Sequence, residues 1–258
     1  MNLPNYIYKV KKTNHQKFKA LQILFSLTFS LFIIFAAVKT TLMFKPLYYF
    51  DIQYLNIEEQ SSFSRDKIIE NYDYVINYLL SPKDQEFELP SIPYSKYGQI
   101  HFKDVKNIFT SMDILLIVTG LLSIIGLYLS LKNKNLYFLK QTASMLLILP
   151  TVLITAFIIN FNTAFTVFHK IFFRNDYWEF DPKLDHIINI LPEEFFLHSA
   201  LLIIALIVLS IVVLLLAHKN KLLFGFKSIG ALIIIITLAT TFDRLAVLLQ
   251  QSLQILKF

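Results

Sequence analysis

Four long apolar runs restrict the folds open to this chain of 258 residues more than any other feature of its sequence. The runs are residues 21–44, 114–131, 141–159 and 197–217. Each is close to the roughly 20 residues that a helix needs to cross the core of a bilayer. Backbone groups inside a bilayer must satisfy one another, which favours helices over irregular structure. The sequence therefore predicts an all-α, polytopic membrane helix bundle with four transmembrane helices, the third of them kinked at Pro150.

A fifth apolar stretch, residues 229–242, is followed by the charged pair Asp243 and Arg244. A buried acid and base are costly inside a membrane, so the stretch fits either a fifth span or a helix lying in the interface. The sequence accordingly predicts a four-helix core, residues 1–227, and a C-terminal hydrophobic extension, residues 228–258.

The net charge of +6 is distributed unevenly along the chain. Lysines without acidic neighbours flank the apolar runs in residues 1–20, 132–140 and 218–227, whereas the acids gather in residues 45–111 and 163–197. Positive loops remain in the cytoplasm, so we expect the amino terminus inside and the two acidic segments outside. The basic residues are then short flanks of membrane helices, and no nucleic-acid partner is indicated. Lys39 and Asp113 lie near the ends of their runs, from which side chains reach the polar interface.

Composition excludes several classes of protein. With 55% hydrophobic residues the chain is not disordered, and with no cysteine it has neither a disulfide scaffold nor a cysteine nucleophile or metal ligand. Only 5 glycines occur, and dinucleotide-binding and P-loop fingerprints are missing. The G-x-S-x-G and H-E-x-x-H patterns of serine hydrolases and zinc proteases are missing too. Any chemistry must therefore come from the polar residues of the two outer segments.

Both outer segments are richer in structural signals than simple connecting loops. Residues 64–80 carry an apolar stripe with helical spacing, which predicts an amphipathic helix. In the second segment, Asn175 and Asp176 predict a turn. Asp181 followed by Pro182 then predicts the N-cap and first residue of a short helix.

Two histidines in these segments are candidates for chemistry. His101 precedes Asp104 by three residues, which is one turn on a helix, and His169 lies among phenylalanines. A histidine in an aromatic belt also has a purely interfacial role, and the nearby acids and Trp178 would then be solvated, capping or anchoring groups. A metal site of His101, Asp104 and His169 would use ordinary ligand types, but the spacing does not specify one.

The motifs that contain these histidines resemble those of a known enzyme family. They are His101-x-x-Asp104-Val105-Lys106, Phe168-His169-x-x-Phe172-Phe173-x-Asn175-Asp176-x-Trp178-x-x-Asp181-Pro182-x-x-Asp185 and Leu191-Pro192-Glu193-x-Phe195-Phe196. The pattern is similar to that of the lipoprotein intramolecular transacylases. The resemblance covers about residues 1–220, and the long second motif makes it specific. Residues 228–258 depart from it.

The resemblance implies an integral membrane enzyme of low-GC Gram-positive bacteria. Its substrate would be a lipoprotein whose amino-terminal cysteine carries a diacylglyceryl group, held in membrane lipid. The enzyme would move the sn-2 acyl chain to the α-amino group of that cysteine, which gives a lyso-form lipoprotein without a cofactor, a metal or a second acyl donor. The two essential histidines of the family correspond to His101 and His169.

This chemistry suits the residues present. The nucleophilic amine has a pKa of about 8, and an imidazole with a pKa of about 6.5 can take its proton and return it to the leaving alkoxide. Because both reacting groups belong to one substrate, transfer is effectively unimolecular. We therefore expect His169 to be the general base and then acid, and His101, oriented by Asp104, to stabilise the oxyanion. The sequence alone does not decide between this assignment and the one in which the two histidines exchange roles.

The remaining candidates have supporting roles. The expected supporting or oxyanion partners are Lys106, Asn175, Asp176, Trp178 and Asp181, and the expected walls of the acyl-chain site are Phe168, Phe172 and Phe173, with Trp178. Two alternatives to the transacylase are a non-catalytic membrane scaffold or permease subunit and a metal-dependent lipid hydrolase.

Overall fold

The computed structural model describes residues 3–220 and Thr237, and all regular structure in this part of the chain is helical. The helices are α1 (Leu3–Met43), α2 (Lys45–Tyr54), α3 (Ile57–Ser61), α4 (Arg65–Leu80), α5 (Lys96–Lys132), α6 (Tyr137–Leu146), α7 (Ile148–Phe172) and α8 (Glu193–Asn220), with a 3-10 turn at His186–Asn189. The all-α class is thereby confirmed. The predicted C-terminal extension, residues 228–258, lies outside the described residues apart from Thr237, so its nature as a fifth span or interfacial helix stays a prediction.

Four helical segments are long and apolar enough to cross a membrane. They are Lys19–Met43, Lys96–Lys132, Tyr137–Phe172 and Glu193–Lys219. Three of them contain a whole apolar run and the first covers all but the last residue of its run, so the four predicted spans are confirmed. The second and third extend beyond their apolar runs toward the same end of the bundle, where they carry the candidate histidines.

The spanning helices pack through a common apolar core. Helix α1 contacts α5, α6 and α8, and α6 also contacts α8. The buried core residues are Phe29, Phe32, Ala36, Ala37, Leu116, Leu127, Phe138, Leu139, Ala143, Leu146, Ile207, Ile211 and Leu214. Helix α7 packs more lightly, against α6 and α8. It therefore stands at the side of the bundle, with the outward side chains Ile158 and Ile159 largely exposed.

The third span has two interruptions, of which the sequence predicted one. Helix α6 ends at Leu146 and α7 begins at Ile148, with Pro150 in the first turn of α7. Proline has no N–H to donate to the carbonyl of Leu146, so the predicted kink is present as a break before it. The second interruption is Asn160, whose backbone is extended (φ −170°, ψ 113°). Its side-chain oxygen accepts a hydrogen bond from the Thr163 N–H at 2.8 Å and thus caps the rest of α7.

A buried ion pair joins the first two spans. Lys39 Nζ of α1 lies 2.6 Å from Asp113 Oδ1 of α5, and the two side chains are only 1% and 2% exposed. The expectation that these residues reach the polar interface separately is wrong. Each neutralises the other inside the bundle, which avoids leaving a lone charge in an apolar environment.

A small helical layer, here termed the cap (residues 44–95 and 173–192), covers the end of the bundle. Its own buried core is largely aromatic and aliphatic, and it includes Tyr48, Ile52, Ile57, Ile68, Tyr72, Val75, Ile76, Tyr78, Leu79, Phe87, Leu89, Ile92, Ile187 and Ile190. The predicted amphipathic helix of residues 64–80 is confirmed as α4, with the Ser64 side chain at its N-cap. The Tyr48 hydroxyl donates to the Ile190 carbonyl at 2.6 Å and ties the two parts of the cap together.

The second outer segment folds differently from its prediction at one point. Asp181 does not cap a helix; its carboxylate accepts the Lys183 N–H at 2.9 Å and closes a turn. The short helix begins later and is the 3-10 turn His186–Asn189, preceded by Asp185. The Asp185 carboxylate instead accepts hydrogen bonds from the backbone N–H and the hydroxyl of Ser95, both at 2.7 Å. This long-range contact, which local spacing does not reveal, sets where the helix starts.

Candidate active site

The structure brings the two candidate histidines together from different spans. His101 lies in the second turn of α5 and His169 in the last turn of α7. Their ring centroids are 6.2 Å apart, with the ring planes at 33°. The 67 residues between them include an entire crossing and return of the membrane. The pair therefore exists only in the folded bundle, beneath the cap.

One hydrogen bond defines the state of His169. Its Nδ1 lies 2.8 Å from the backbone carbonyl oxygen of Phe165. A carbonyl oxygen can only accept, so Nδ1 carries the hydrogen and the lone pair of a neutral ring is on Nε2. Trp178 stacks on the imidazole, with centroids 4.7 Å apart and planes at 28°. His169 is thus held in one orientation with an acceptor nitrogen available for a proton.

His101 occupies an aromatic enclosure. Only 7% of the residue is exposed. The ring centroids of Phe173 and Phe180 lie 4.7 Å and 5.3 Å from its imidazole. Its Nδ1 is buried and finds no hydrogen-bond partner among the described residues. A buried nitrogen without a partner is costly in a resting protein, so it marks a place where a bound substrate could supply the missing group.

The predicted contact between Asp104 and His101 is wrong. The Asp104 carboxylate accepts a hydrogen bond from the Asn175 side-chain amide at 3.1 Å. The Asn175 side-chain oxygen accepts the Tyr177 N–H at 3.1 Å, which confirms the turn predicted at Asn175 and Asp176. The apolar rings around His101 offer no hydrogen bonds to a carboxylate, so Asp104 pairs with the polar turn that follows α7 instead.

Other predicted supporting residues lie apart from the histidine pair. Lys106 is buried, donates to the Lys83 carbonyl at 2.6 Å and places its ammonium 4.3 Å from the centre of the Tyr78 ring. These contacts attach α5 to the cap. Asp176 and Asp181 are exposed at the surface of the second outer segment. Of the five supporting candidates, Trp178 contacts a histidine directly and Asn175 contacts Asp104.

The three phenylalanines predicted to contact acyl chains divide into two groups. Phe173 is buried, and its ring centroid lies 5.7 Å from that of His169 as well as close to His101. Phe168 and Phe172 are 53% and 50% exposed and pack on each other, and the Phe168 ring also lies 5.5 Å from that of its chain neighbour His169. Phe173 therefore belongs to the buried wall of the site, whereas Phe168 and Phe172 form an apolar surface on the exposed side of helix α7.

Several contacts at the site were not predicted from the sequence. Phe165, whose carbonyl accepts from His169, and Phe180, whose ring packs on His101, are not among the predicted site residues. The four-residue spacing of Phe165 and His169 was a usable signal, because it places a helical carbonyl beneath the imidazole. The metal-site alternative lacks its ligand set: among the described residues no three histidine, aspartate or glutamate side chains converge.

Comparisons with known proteins point to one family. The family model described as lipoprotein intramolecular transacylase Lit matches residues 23–196. The comparison with curated proteins gives no match. Among solved structures, the membrane integral lipoprotein intramolecular transacylase Lit from Bacillus cereus is 37% identical, with a TM-score of 0.76, and the match covers 78% of this chain and 94% of that one.

Two variant structures of the same Bacillus cereus protein are also similar. The variant with a histidine replaced by alanine is 35% identical, with a TM-score of 0.74, over 82% of this chain and 96% of that one. The variant with a histidine replaced by arginine is 35% identical, with a TM-score of 0.70, over 84% and 99%. A family model that covers most of the chain and a shared fold at this identity agree with each other. The chain therefore belongs to the family of lipoprotein intramolecular transacylases and is an integral membrane enzyme.

Proposed function

We propose that the chain moves the sn-2 acyl chain of a diacylglyceryl-cysteine lipoprotein to the α-amino group of its amino-terminal cysteine. The reaction takes place at the outer face of a bacterial membrane, with the amino terminus of the enzyme in the cytoplasm. The basic flanks of the spans and the acidic cap support this orientation. The observation that carries the proposal is the convergence of His101 and His169 at the cap end of the bundle.

The first half of the reaction needs a base that is already oriented. The amine lone pair attacks the sn-2 ester carbonyl carbon, and the carbonyl oxygen becomes an oxyanion. His169 Nε2 takes a proton from the attacking nitrogen, since its Nδ1 is engaged with the Phe165 carbonyl. His101, whose Nδ1 has no partner among the described residues, hydrogen-bonds the oxyanion.

The second half returns the proton. The bond between the carbonyl carbon and the glycerol oxygen breaks, and the imidazolium of His169 protonates the departing alkoxide. No atoms are lost or gained, because the ester and the amine belong to the same molecule. Holding both in contact replaces a bimolecular encounter and lowers the barrier by several kcal/mol.

The aromatic surroundings fit a lipid substrate. The buried Phe173 ring packs against both histidines, and the exposed rings of Phe168 and Phe172 provide an apolar surface on α7. The acyl chains lie along this surface while the glycerol ester reaches the imidazoles. Asp176 and Asp181, exposed on the second outer segment, contact water or the peptide that follows the cysteine.

The test is the structure of the lipopeptide product. The chain is expressed in cells that lack other lipoprotein N-acylation, and tandem mass spectrometry locates the acyl groups on a reporter lipoprotein. Transfer leaves the intact mass unchanged and places an acyl group on nitrogen, whereas a lipid hydrolase would lower the mass. We expect His101→Ala and His169→Ala to abolish transfer and His186→Ala, in the cap, to retain it. Transfer that persists in both site variants would exclude the two-histidine mechanism.

A further inference from the structure

The Asp104 carboxylate can accept more hydrogen bonds than the fold provides. Its Oδ2 accepts one hydrogen bond, from the Asn175 amide, and the described part of the chain provides neither a donor to Oδ1 nor a cation paired with this carboxylate. The residue is only half-buried, so the carboxylate is accessible. A carboxylate in that state retains its charge and a free acceptor oxygen for a bound group.

The position of this carboxylate is held from two sides. Asp104 follows His101 by one helical turn on α5. Asn175, which holds it, comes two residues after Phe173, the ring packed against both histidines. The side-chain oxygen of Asn175 accepts a hydrogen bond from the Tyr177 N–H, which orients its amide nitrogen toward Asp104. The carboxylate is therefore anchored to the turn that follows α7, one helical turn from His101 on α5.

In the proposed reaction, the attacking nitrogen of the substrate becomes positively charged. We propose that Asp104 binds the α-amino group of the lipoprotein's amino-terminal cysteine and stabilises the positive charge that forms on that nitrogen during attack. This inference rests on the proposed function, because it assigns the residue that recognises its nucleophile. When the nitrogen bonds to the ester carbonyl carbon it becomes cationic, and the proton then passes to His169 Nε2. A hydrogen bond from the remaining N–H to the Asp104 carboxylate stabilises the charged stage.

A purely structural role for Asp104 makes a different prediction. If the carboxylate only ties α5 to the turn after α7, asparagine should replace it well, because its side-chain oxygen also accepts from Asn175. Under the present inference the charge itself matters, so Asp104→Asn loses function while keeping the tie. Asn175→Ala is the reciprocal change, since it removes the tie and keeps the charge.

The binding experiment uses the only tryptophan of the chain, Trp178, which lies in the site on the His169 ring. Its fluorescence is titrated with two non-transferable dialkylglyceryl-cysteine peptides, one with a free α-amine and one with an acetylated amine. We expect the purified wild-type chain to bind the free amine about tenfold more tightly. We expect Asp104→Asn to bind both alike, Asn175→Ala to keep part of the preference, and the exposed Glu179→Gln to behave as wild type.

The activity experiment uses the corresponding diacylglyceryl peptide. Asp104→Asn should lower the rate of acyl transfer by about 100-fold, the size of effect seen when one charge-stabilising group is removed from an active site. Equal affinity of the wild-type chain for the two ether peptides overturns the inference, whether or not the variant folds. So does an Asp104→Asn protein that keeps the preference and the rate. If the wild-type chain transfers no acyl group at all, the proposed function fails instead.

Discussion

The imidazole of His169 donates its Nδ1 hydrogen to the backbone carbonyl of Phe165, one turn earlier in α7, over 2.8 Å. A helix thus supplies the group that fixes the tautomer of a histidine in its own last turn. In many enzymes a buried carboxylate performs that task. Here the neutral carbonyl of Phe165 performs it, so no carboxylate charge lies beside the aromatic rings of Phe165 and Trp178.

Replacing His169 by asparagine separates orientation from proton transfer. The asparagine amide can still donate to the Phe165 carbonyl, but nothing replaces Nε2. We expect a folded protein whose transfer rate falls by about 10²- to 10⁴-fold, as for loss of a general base. The measurement is single-turnover transfer on a diacylglyceryl peptide, with thermal unfolding as the control. A rate within a few-fold of wild type would assign the base elsewhere.

Substitutions of Trp178 test how much the stacked ring contributes. Trp178→Phe keeps an aromatic surface on His169 and removes an indole N–H that is buried without a partner among the described residues. Trp178→Ala frees the imidazole to rotate, and a misplaced catalytic group costs up to about 100-fold in rate. We therefore expect the phenylalanine variant to retain most activity and the alanine variant to lose most of it. Equal rates for the two variants would contradict an orienting role for the ring.

The start of α5 provides a test of how His101 is positioned. A Cβ added at Gly98 would overlap Asp185 Oδ1, which holds Ser95 at the helix N-terminus. We expect Gly98→Ala to lower stability by about 1–3 kcal/mol through the broken bonds and to impair transfer. Gly126→Ala is the matched control, because its Cβ would come within 2.6 Å of the Phe25 ring, far along the same helix. If the two variants lose a similar amount of unfolding temperature in detergent, Gly126→Ala should keep more transfer activity than Gly98→Ala. Equal losses of activity in the two variants would contradict this prediction.

The ion pair of Lys39 and Asp113 should behave as a coupled unit. Removing either partner leaves an uncompensated buried charge, for which we expect a loss of about 3–5 kcal/mol. The double variant Lys39→Met with Asp113→Leu leaves no such charge and should unfold at a higher temperature than either single variant. If the stability lost in the double variant equals the sum of the losses in the two single variants, the two side chains act independently.

A buried acid in the cap predicts a pH dependence of stability. Burial raises the pKa of the Asp51 carboxyl above its ordinary value of 3.8, and the hydrogen bond to His198 offsets only part of this effect. The folded state therefore binds this proton more tightly than the unfolded state does. The resulting stabilisation is complete below the unfolded pKa and is lost as the pH rises through the folded pKa.

Asp51→Asn is the variant that isolates this effect. We expect the unfolding temperature of wild type, relative to the variant, to fall between about pH 3.5 and about pH 7.5. The measurement is thermal unfolding in detergent at both pH values. If the difference in unfolding temperature between wild type and Asp51→Asn stays constant or rises with pH, burial is not the dominant influence on the pKa of Asp51.

Large parts of the fold were predictable because they follow from local patterns. The apolar runs predicted the four spans, and the helical stripe of residues 64–80 predicted α4. Pro150 predicted a break that depends only on a missing N–H. The interruption at Asn160 was not predicted, since an asparagine in an apolar helix has no fixed backbone preference.

The two histidines of the candidate site were predictable, but most of their contacts were not. His101 and His169 were selected, and the structure places them together. The contact of Asp104 with His101 was wrong, because spacing along a helix shows which contacts are possible and not which competing partner lies across the site. The start of the 3-10 turn after Asp181 was misplaced for the same reason, since Asp185 bonds to Ser95 far away in sequence.

By itself, the sequence determined the class of molecule: a membrane-spanning helical bundle with two outer segments, each of which contains one of the two candidate histidines. These properties depend on hydrophobicity, helical period and residue identity, which are local. The tertiary structure alone decided that the two rings meet and that Asp104 is held by Asn175 and not by a histidine. Such contacts join segments separated by many residues, and their energies depend on which polar groups remain unsatisfied once the helices have packed.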